Sequence, residues 1–117
     1  MTKQVIFLTS INFMTQHVGE LYIDAIEKKY KVELWDLGIA YKQWEKSPLN
    51  ESRAVIIQSF SEFDIRIKEK QGQGYQLLFV ADIVGNILLQ PIIPICWKRN
   101  IPLVCISKES LSRWLFG

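Results

Sequence analysis

The sequence predicts an α/β protein: an open parallel sheet of at least four strands with helices on both faces. Three observations lead there. Apolar runs such as Val5–Leu8 and Leu77–Ala81 lack polar/apolar alternation, as strands do when both faces of their sheet are covered. Amphipathic stretches with helical spacing lie between those runs. Strand starts are about 25 to 40 residues apart, with no tight-hairpin signal between them. That spacing requires crossovers and therefore parallel pairing, right-handed in sense. At 117 residues the chain has room for one hydrophobic core, so residues 1–117 read as a single domain.

Gln4–Thr9 is the first expected strand. Thr15 can cap a helix over Gln16–Lys29, with Val18, Leu21, Tyr22, Ala25 and Ile26 on its apolar face and Glu20, Asp24, Glu27 and Lys28 toward water. Lys31–Leu37 is the second strand, closed by Gly38. Residues 39–49 are the least periodic stretch and read as a surface excursion carrying Tyr41 and Trp44. From Asn50 or Ser52 to about Lys70 the pattern Val55, Ile56, Ser59, Phe60, Phe63, Ile67 predicts one helix, stopped by Gln71–Gly72–Gln73–Gly74. Tyr75–Ala81, running into Asp82, is the most apolar strand. Val84–Lys98 reads as a helix that either starts at Pro91 or kinks there, since each proline deletes a backbone donor. Asn100 ends it, Ile101–Ile106 is the next strand, and Ser107 can cap a further helix.

Composition excludes several classes. The chain is 49% hydrophobic and 22% charged, as folded domains are. A net charge of +2 is too small to imply nucleic acid. The pairs Lys28–Lys29 and Lys98–Arg99 sit at expected helix ends, where cations complement the dipole. Cys96 and Cys105 form no CxxC pair, and His17 is the only histidine, so a zinc set is not expected and reduced buried thiols are. There is no secretory leader pattern and no apolar run long enough to cross a membrane. The chain reads as cytoplasmic. Leu111, Trp114, Leu115 and Phe116 are too apolar for a free tail. Either a last helix docks on the core, or the chain is the N-terminal part of a longer protein or a subunit that meets a partner there.

In an open parallel sheet, ligands bind outside the C-terminal ends of the strands. The polar residues that fall there are Ser10, Asn12, Thr15, Asp36, Asp82, Asn86 and Ser107. The loop after the first strand has neither GxGxxG nor a Walker signature, which argues against a dinucleotide or P-loop site. Asn12 and Thr15 could hold a phosphate at the following helix N-terminus. His17, in the first turn of that helix, is placed to act as a general base. Asp82 could orient a sugar hydroxyl, act as a base or bind a metal, and could equally cap a helix beside Asn86. Asp36 carries the same two readings. Ser107 and Ser110 read as caps, and without GxSxG an esterase is disfavoured.

Taken together, the segments Lys31-Val32-Glu33-Leu34-Trp35-Asp36-Leu37-Gly38, Phe79-Val80-Ala81-Asp82 and Arg99-Asn100-Ile101-Pro102-Leu103-Val104-Cys105-Ile106 resemble the N-terminal Rossmann-like domain of GT-B glycosyltransferases. The resemblance spans almost the whole chain on loose motifs. It departs from the family in the first loop, where Asn12-Phe13-Met14-Thr15-Gln16-His17-Val18-Gly19 holds one late glycine instead of a Gly-Gly pair. It implies an acceptor-side domain for cell-surface polysaccharide synthesis, with His17 or Asp82 catalytic and Asn12, Thr15, Asn86 and Ser107 binding substrate. The nucleotide-sugar donor would be held mainly by a C-terminal domain absent from this chain, which would carry no cofactor and be inactive alone. The alternative expectation is a non-catalytic binding or scaffolding domain of flavodoxin-like or receiver-like shape, making contacts through Trp44, Trp114 and Phe116. A receiver lacks support because Ser10 and Asn12 stand where an acidic pair is needed.

Overall fold

The computed structural model describes residues 2–9, 23–42, 45–46, 52–82 and 91–106, with the backbone alone at 9, 82, 105 and 106. Five strands form one sheet: β1 (Thr2–Thr9), β2 (Lys31–Asp36), β3 (Ala54–Ile56), β4 (Tyr75–Asp82) and β5 (Leu103–Ile106). Their order is β3-β2-β1-β4-β5 and all four pairings are parallel. Three helical pieces are described: α1 (residues 23–27), α2 (Phe60–Gly72) and α3 (Ile92–Arg99). This is the strand order of a Rossmann-like sheet, and it differs from the 2-1-3-4-5 order of flavodoxin-like and receiver sheets.

Successive strand residues point to opposite faces, and the core divides accordingly. Ile6 and Leu8 of β1, Trp35 of β2, and Leu77, Phe79 and Ala81 of β4 join Phe63 and Ile67 of α2 with Ile92 and Cys96 of α3. The intervening residues Val5, Phe7, Val32, Leu34 and Val80 pack with Ile23 of α1, and Ile26 adds to them. Ile23 is fully buried. The expected apolar face of this helix leaves it out; Ile23 and Ile26 together mark the side that meets the sheet. In the larger cluster, Trp35 meets Phe63 edge-on at 5.8 Å and Phe79 at 5.7 Å, and Phe63 and Phe79 lie 5.5 Å apart. Such pairs add about 0.5–1.5 kcal/mol beyond the area they bury.

The helix expected over 52–70 is corrected. Residues 54–56 are strand β3, hydrogen-bonded to the open edge of β2 through Leu34 N–H to Arg53 O and Ile57 N–H to Asp36 O, both 3.0 Å. Val-Ile-Ile is a β-branched run that fits a pleated surface better than a helix. The helix starts later: Ser59 caps α2 by accepting from Glu62 N–H at 3.1 Å, while Glu62 Oε1 reaches back to Gln58 N–H at 2.9 Å.

Other boundaries fall where expected. α2 ends at Gly72, and Gly74 takes φ 91°, a conformation that L side chains rarely adopt. Of the two readings for Val84–Lys98, the described part supports a helix that starts at Pro91, with Pro94 in the first turn, where no intrahelical donor is lost. Asn100 leaves the helix at φ 57°, and the Ile101 N–H closes on Cys96 O at 2.9 Å in a Schellman-type stop. The strand after it begins at Leu103, two residues later than expected, because Pro102 has no N–H to give the ladder.

Candidate functional site

The strand order locates the candidate site. From β1 the chain builds outward through β2 to β3, then crosses back to place β4 on the other side of β1. The crevice outside the C-terminal ends of β1 and β4 is therefore the switch point, where open α/β sheets bind ligands. Thr9 ends β1 and Asp82 ends β4, one step beyond the Leu8–Ala81 pair. Asp36 ends β2 in register with Thr9. Asp82 is thus brought to the switch point by its backbone position. The remaining sequence candidates, Asn12, Thr15, His17, Asn86 and Ser107, lie outside the described residues, as do Trp44, Trp114 and Phe116.

Asp36 shows what its position demands. It is fully buried, and its Oδ1 accepts the Gly38 N–H at 2.8 Å, closing the turn out of β2. A carboxylate that bonds the backbone two residues on is an Asx turn, a local device for satisfying a donor. The sequence offers a ligand-binding group or a helix cap here; the contact observed is neither, but a turn closed on Gly38. Asp36 and Asp82 sit on strands either side of β1, their backbones about 10 Å apart at ordinary strand spacing. Among the described residues no group of three or more His, Cys, Asp or Glu side chains is arranged to hold a metal ion. Among the same residues no helix is long and apolar enough to cross a membrane.

The other polar clusters were not expected from sequence. Under the C-terminal half of α2, Glu33 accepts from Trp35 Nε1–H at 2.8 Å and from Lys70 Nζ at 2.9 Å. Burial works against the Glu33 carboxylate, but hydrogen bonds from Trp35 and Lys70 and the Lys70 charge outweigh it. The result holds its pKa below the ordinary value. Lys70 and Lys31 both lie over the Tyr75 ring, at 5.0 and 5.3 Å from its centre, and Lys31 Nζ donates to the Tyr75 hydroxyl at 3.3 Å. Between α2 and α3, Arg99 grips Asp64 with two bonds of 2.9 and 3.0 Å. The hydrogen bond from Arg99 lowers the Asp64 pKa and raises that of Arg99. Arg53 pairs with Glu27 and lies 3.7 Å from Asp24, tying α1 to the approach to β3. Half-buried Tyr41 stacks edge-on against Phe60 at 4.9 Å, and burial pushes its hydroxyl pKa up.

The Glu33–Lys70 and Asp64–Arg99 clusters join helix to sheet and helix to helix, while Arg53 and Tyr41 reach from turns to α1 and α2. From the sequence, Lys98–Arg99 have only the helix dipole as a partner. The i, i+4 spacing that would have flagged partners does not exist for Asp64 and Arg99, which are far apart in the chain. Comparison of the sequence and fold with protein-family models, curated proteins and solved structures found no match.

Proposed function

We propose that this chain is the acceptor-side, Rossmann-like domain of a glycosyltransferase that uses a nucleotide-sugar donor in cell-surface polysaccharide synthesis. The observation that carries the reading is the β3-β2-β1-β4-β5 order. It is the order of a Rossmann-like sheet, the fold class the resemblance implies, and Asp82 ends one of the two strands at its switch point. In this reading Asp82 or His17 takes the proton from the acceptor hydroxyl as that oxygen attacks the anomeric carbon, and the nucleoside diphosphate leaves. Asn12, Thr15, Asn86 and Ser107 hold the acceptor. The donor is held mainly by a companion domain or subunit.

The test is a transfer assay with the companion supplied, using labelled nucleotide-sugars and a panel of glycan acceptors. Transfer is expected only with both parts present, and Asp82→Asn or His17→Ala should lower kcat by about 10²–10⁴. Absence of transfer, or full activity in both variants, overturns the reading.

A second reading is supported by the outer face of α3, where Trp97 is 84% and Ile93 42% exposed. Large apolar side chains left in water on one helix face suit a binding or scaffolding domain. A pull-down from which Trp97→Ala loses a partner, with no transfer detected, would select it.

A further inference from the structure

At the N-terminal edge of the sheet a rung of the β4–β5 ladder is left open. β4 begins at Tyr75, but its pairing with β5 starts only at Phe79, opposite Leu103. The Phe79 N–H donates to Pro102 O at 3.0 Å. In a parallel ladder this fixes the alternation: Phe79, Leu77 and Tyr75 turn N–H and C=O toward β5. The next rung would run from Leu77 N–H to Asn100 O, and from the N–H of residue 102 to Leu77 O. Residue 102 is proline and has no N–H. Asn100, at φ 57°, already turns the chain away, its own N–H donating to Trp97 O. Among the described residues, no backbone hydrogen bond joins Leu77 to residues 100–102.

The unfilled rung faces a groove of roughly 340 Å³, lined by Gln71, Tyr75, Gln76, Leu77, Asn100, Ile101 and Pro102. Its volume falls within the range of small-molecule sites. Leu77 and Ile101 are 4% and 7% exposed, so together with Pro102 they form an apolar floor and flank. Gln71, Gln76 and Asn100 supply the polar part of the lining, and Gln71 is fixed by donating to Arg99 O at 2.9 Å. Among the described residues no charged side chain lines it.

The N–H and C=O of one residue in an extended strand lie side by side. Their complement carries an N–H and a C=O that also lie side by side: another extended residue, or a cis amide such as a lactam or the imide edge of a pyrimidine base. β4 begins at Tyr75 and β5 takes its edge from Phe79 on, so an added strand would find only Tyr75 and Leu77 to pair with, and the small cis amide is the better fit. A trans amide separates the two groups, and a polyol offers no fixed pair. We propose that this groove binds a small planar cis-amide ligand, held by the Leu77 N–H and C=O and flanked by the Gln71, Gln76 and Asn100 carboxamides. It lies at the opposite end of the strands from the switch point and does not depend on the reading given to that edge.

The test is an NMR titration of the ¹⁵N-labelled chain with uracil, with N-methylacetamide and glucose as the trans-amide and polyol controls. Uracil should shift the Leu77 amide and the Gln71 and Gln76 side-chain resonances saturably, and the controls should not. Pro102→Ala supplies the missing N–H and lets the rung close. It should weaken uracil binding about tenfold, the worth of about one hydrogen bond, with an unchanged or raised urea midpoint. Asn100→Gly keeps the left-handed turn while removing one carboxamide, and Gln76→Ala removes another; each should weaken binding even if Pro102→Ala fails to fold. The proposal is overturned if uracil causes no saturable shift or the controls match it. It is equally overturned if a folded Pro102→Ala, or both carboxamide variants, bind uracil undiminished, or if an extended dipeptide displaces it, which would assign the edge to strand addition.

Discussion

Gln4 sits in the middle of the molecule with its carboxamide fully buried, and neither its nitrogen nor its oxygen meets a hydrogen-bond partner among the described residues. A buried amide without partners costs about 1–3 kcal/mol relative to one left in water. Gln4 acts on Glu33 as the last and smallest of the influences that lower that carboxylate's pKa, without reaching hydrogen-bond geometry. Gln4→Leu should therefore raise stability by about 1–2 kcal/mol, read as a higher urea midpoint at unchanged slope. Glu33 supplies a second outcome at this scale. Its folded pKa lies below the ordinary value, so the unfolded chain binds the proton more readily. The stability it contributes is present above the unfolded pKa and is lost as pH falls through the folded one. Urea midpoints measured from neutral pH into the acid range should fall, and the fall should be shallower in Glu33→Gln. A Lys70→Met variant should show the same loss of slope, because Lys70 supplies both a hydrogen bond and the nearest opposing charge.

Among the elements, β3 and α2 show what the sequence concealed and what it displayed. Val55, Ile56, Ser59, Phe60, Phe63 and Ile67 fall on helical spacing, and that spacing ran straight through a strand. The competing signal was local: Ser59-Phe60-Ser61-Glu62 is a capping-box pattern and marks a helix start at that point. A three-residue strand is too short to show a period of its own, and only its pairing with β2 identifies it. By contrast, Gly74, Asn100 and the prolines carry their meaning in single residues, and the boundaries they predict agree with the structure to within a residue or two. Ser59→Ala removes the bond to Glu62 N–H and leaves one of the first-turn donors to water. It should cost about 1 kcal/mol, visible as a matching drop in the urea midpoint and as faster amide exchange confined to residues 60–63. Uniform loss of protection along α2 would show that the cap does more than hold the first turn.

For the molecule as a whole, parallel pairing was legible because crossover lengths permit little else. The order of strands was not, since the sequence does not say on which side of β1 each new strand will lie. Parallel pairing already puts the strand-end residues on one edge; the order adds where the switch point falls on it, between β1 and β4, the strand that Asp82 ends, while Asp36 closes the turn out of β2. The same layout concentrates stability in the layer between sheet and helices α2 and α3, where Trp35 touches Phe63 and Phe79 and donates to Glu33. Trp35 is fully buried, whereas Trp97 on the outer face of α3 is 84% exposed. Replacing a buried tryptophan with alanine costs about 3–5 kcal/mol, against a total of about 5–15 kcal/mol for a domain. Trp35→Ala should thus leave a substantial unfolded population at ambient temperature. It also strips Glu33 of the Trp35 hydrogen bond, one of the influences that outweigh its burial, so its destabilisation should be larger at neutral than at acid pH. Trp97→Ala should change stability by less than about 0.5 kcal/mol. Chemical denaturation of the two variants at two pH values, followed by far-ultraviolet circular dichroism, separates these outcomes. Equal effects from the two tryptophans would mean that α3 is packed against something on its outer side, and that its outer face belongs to the core.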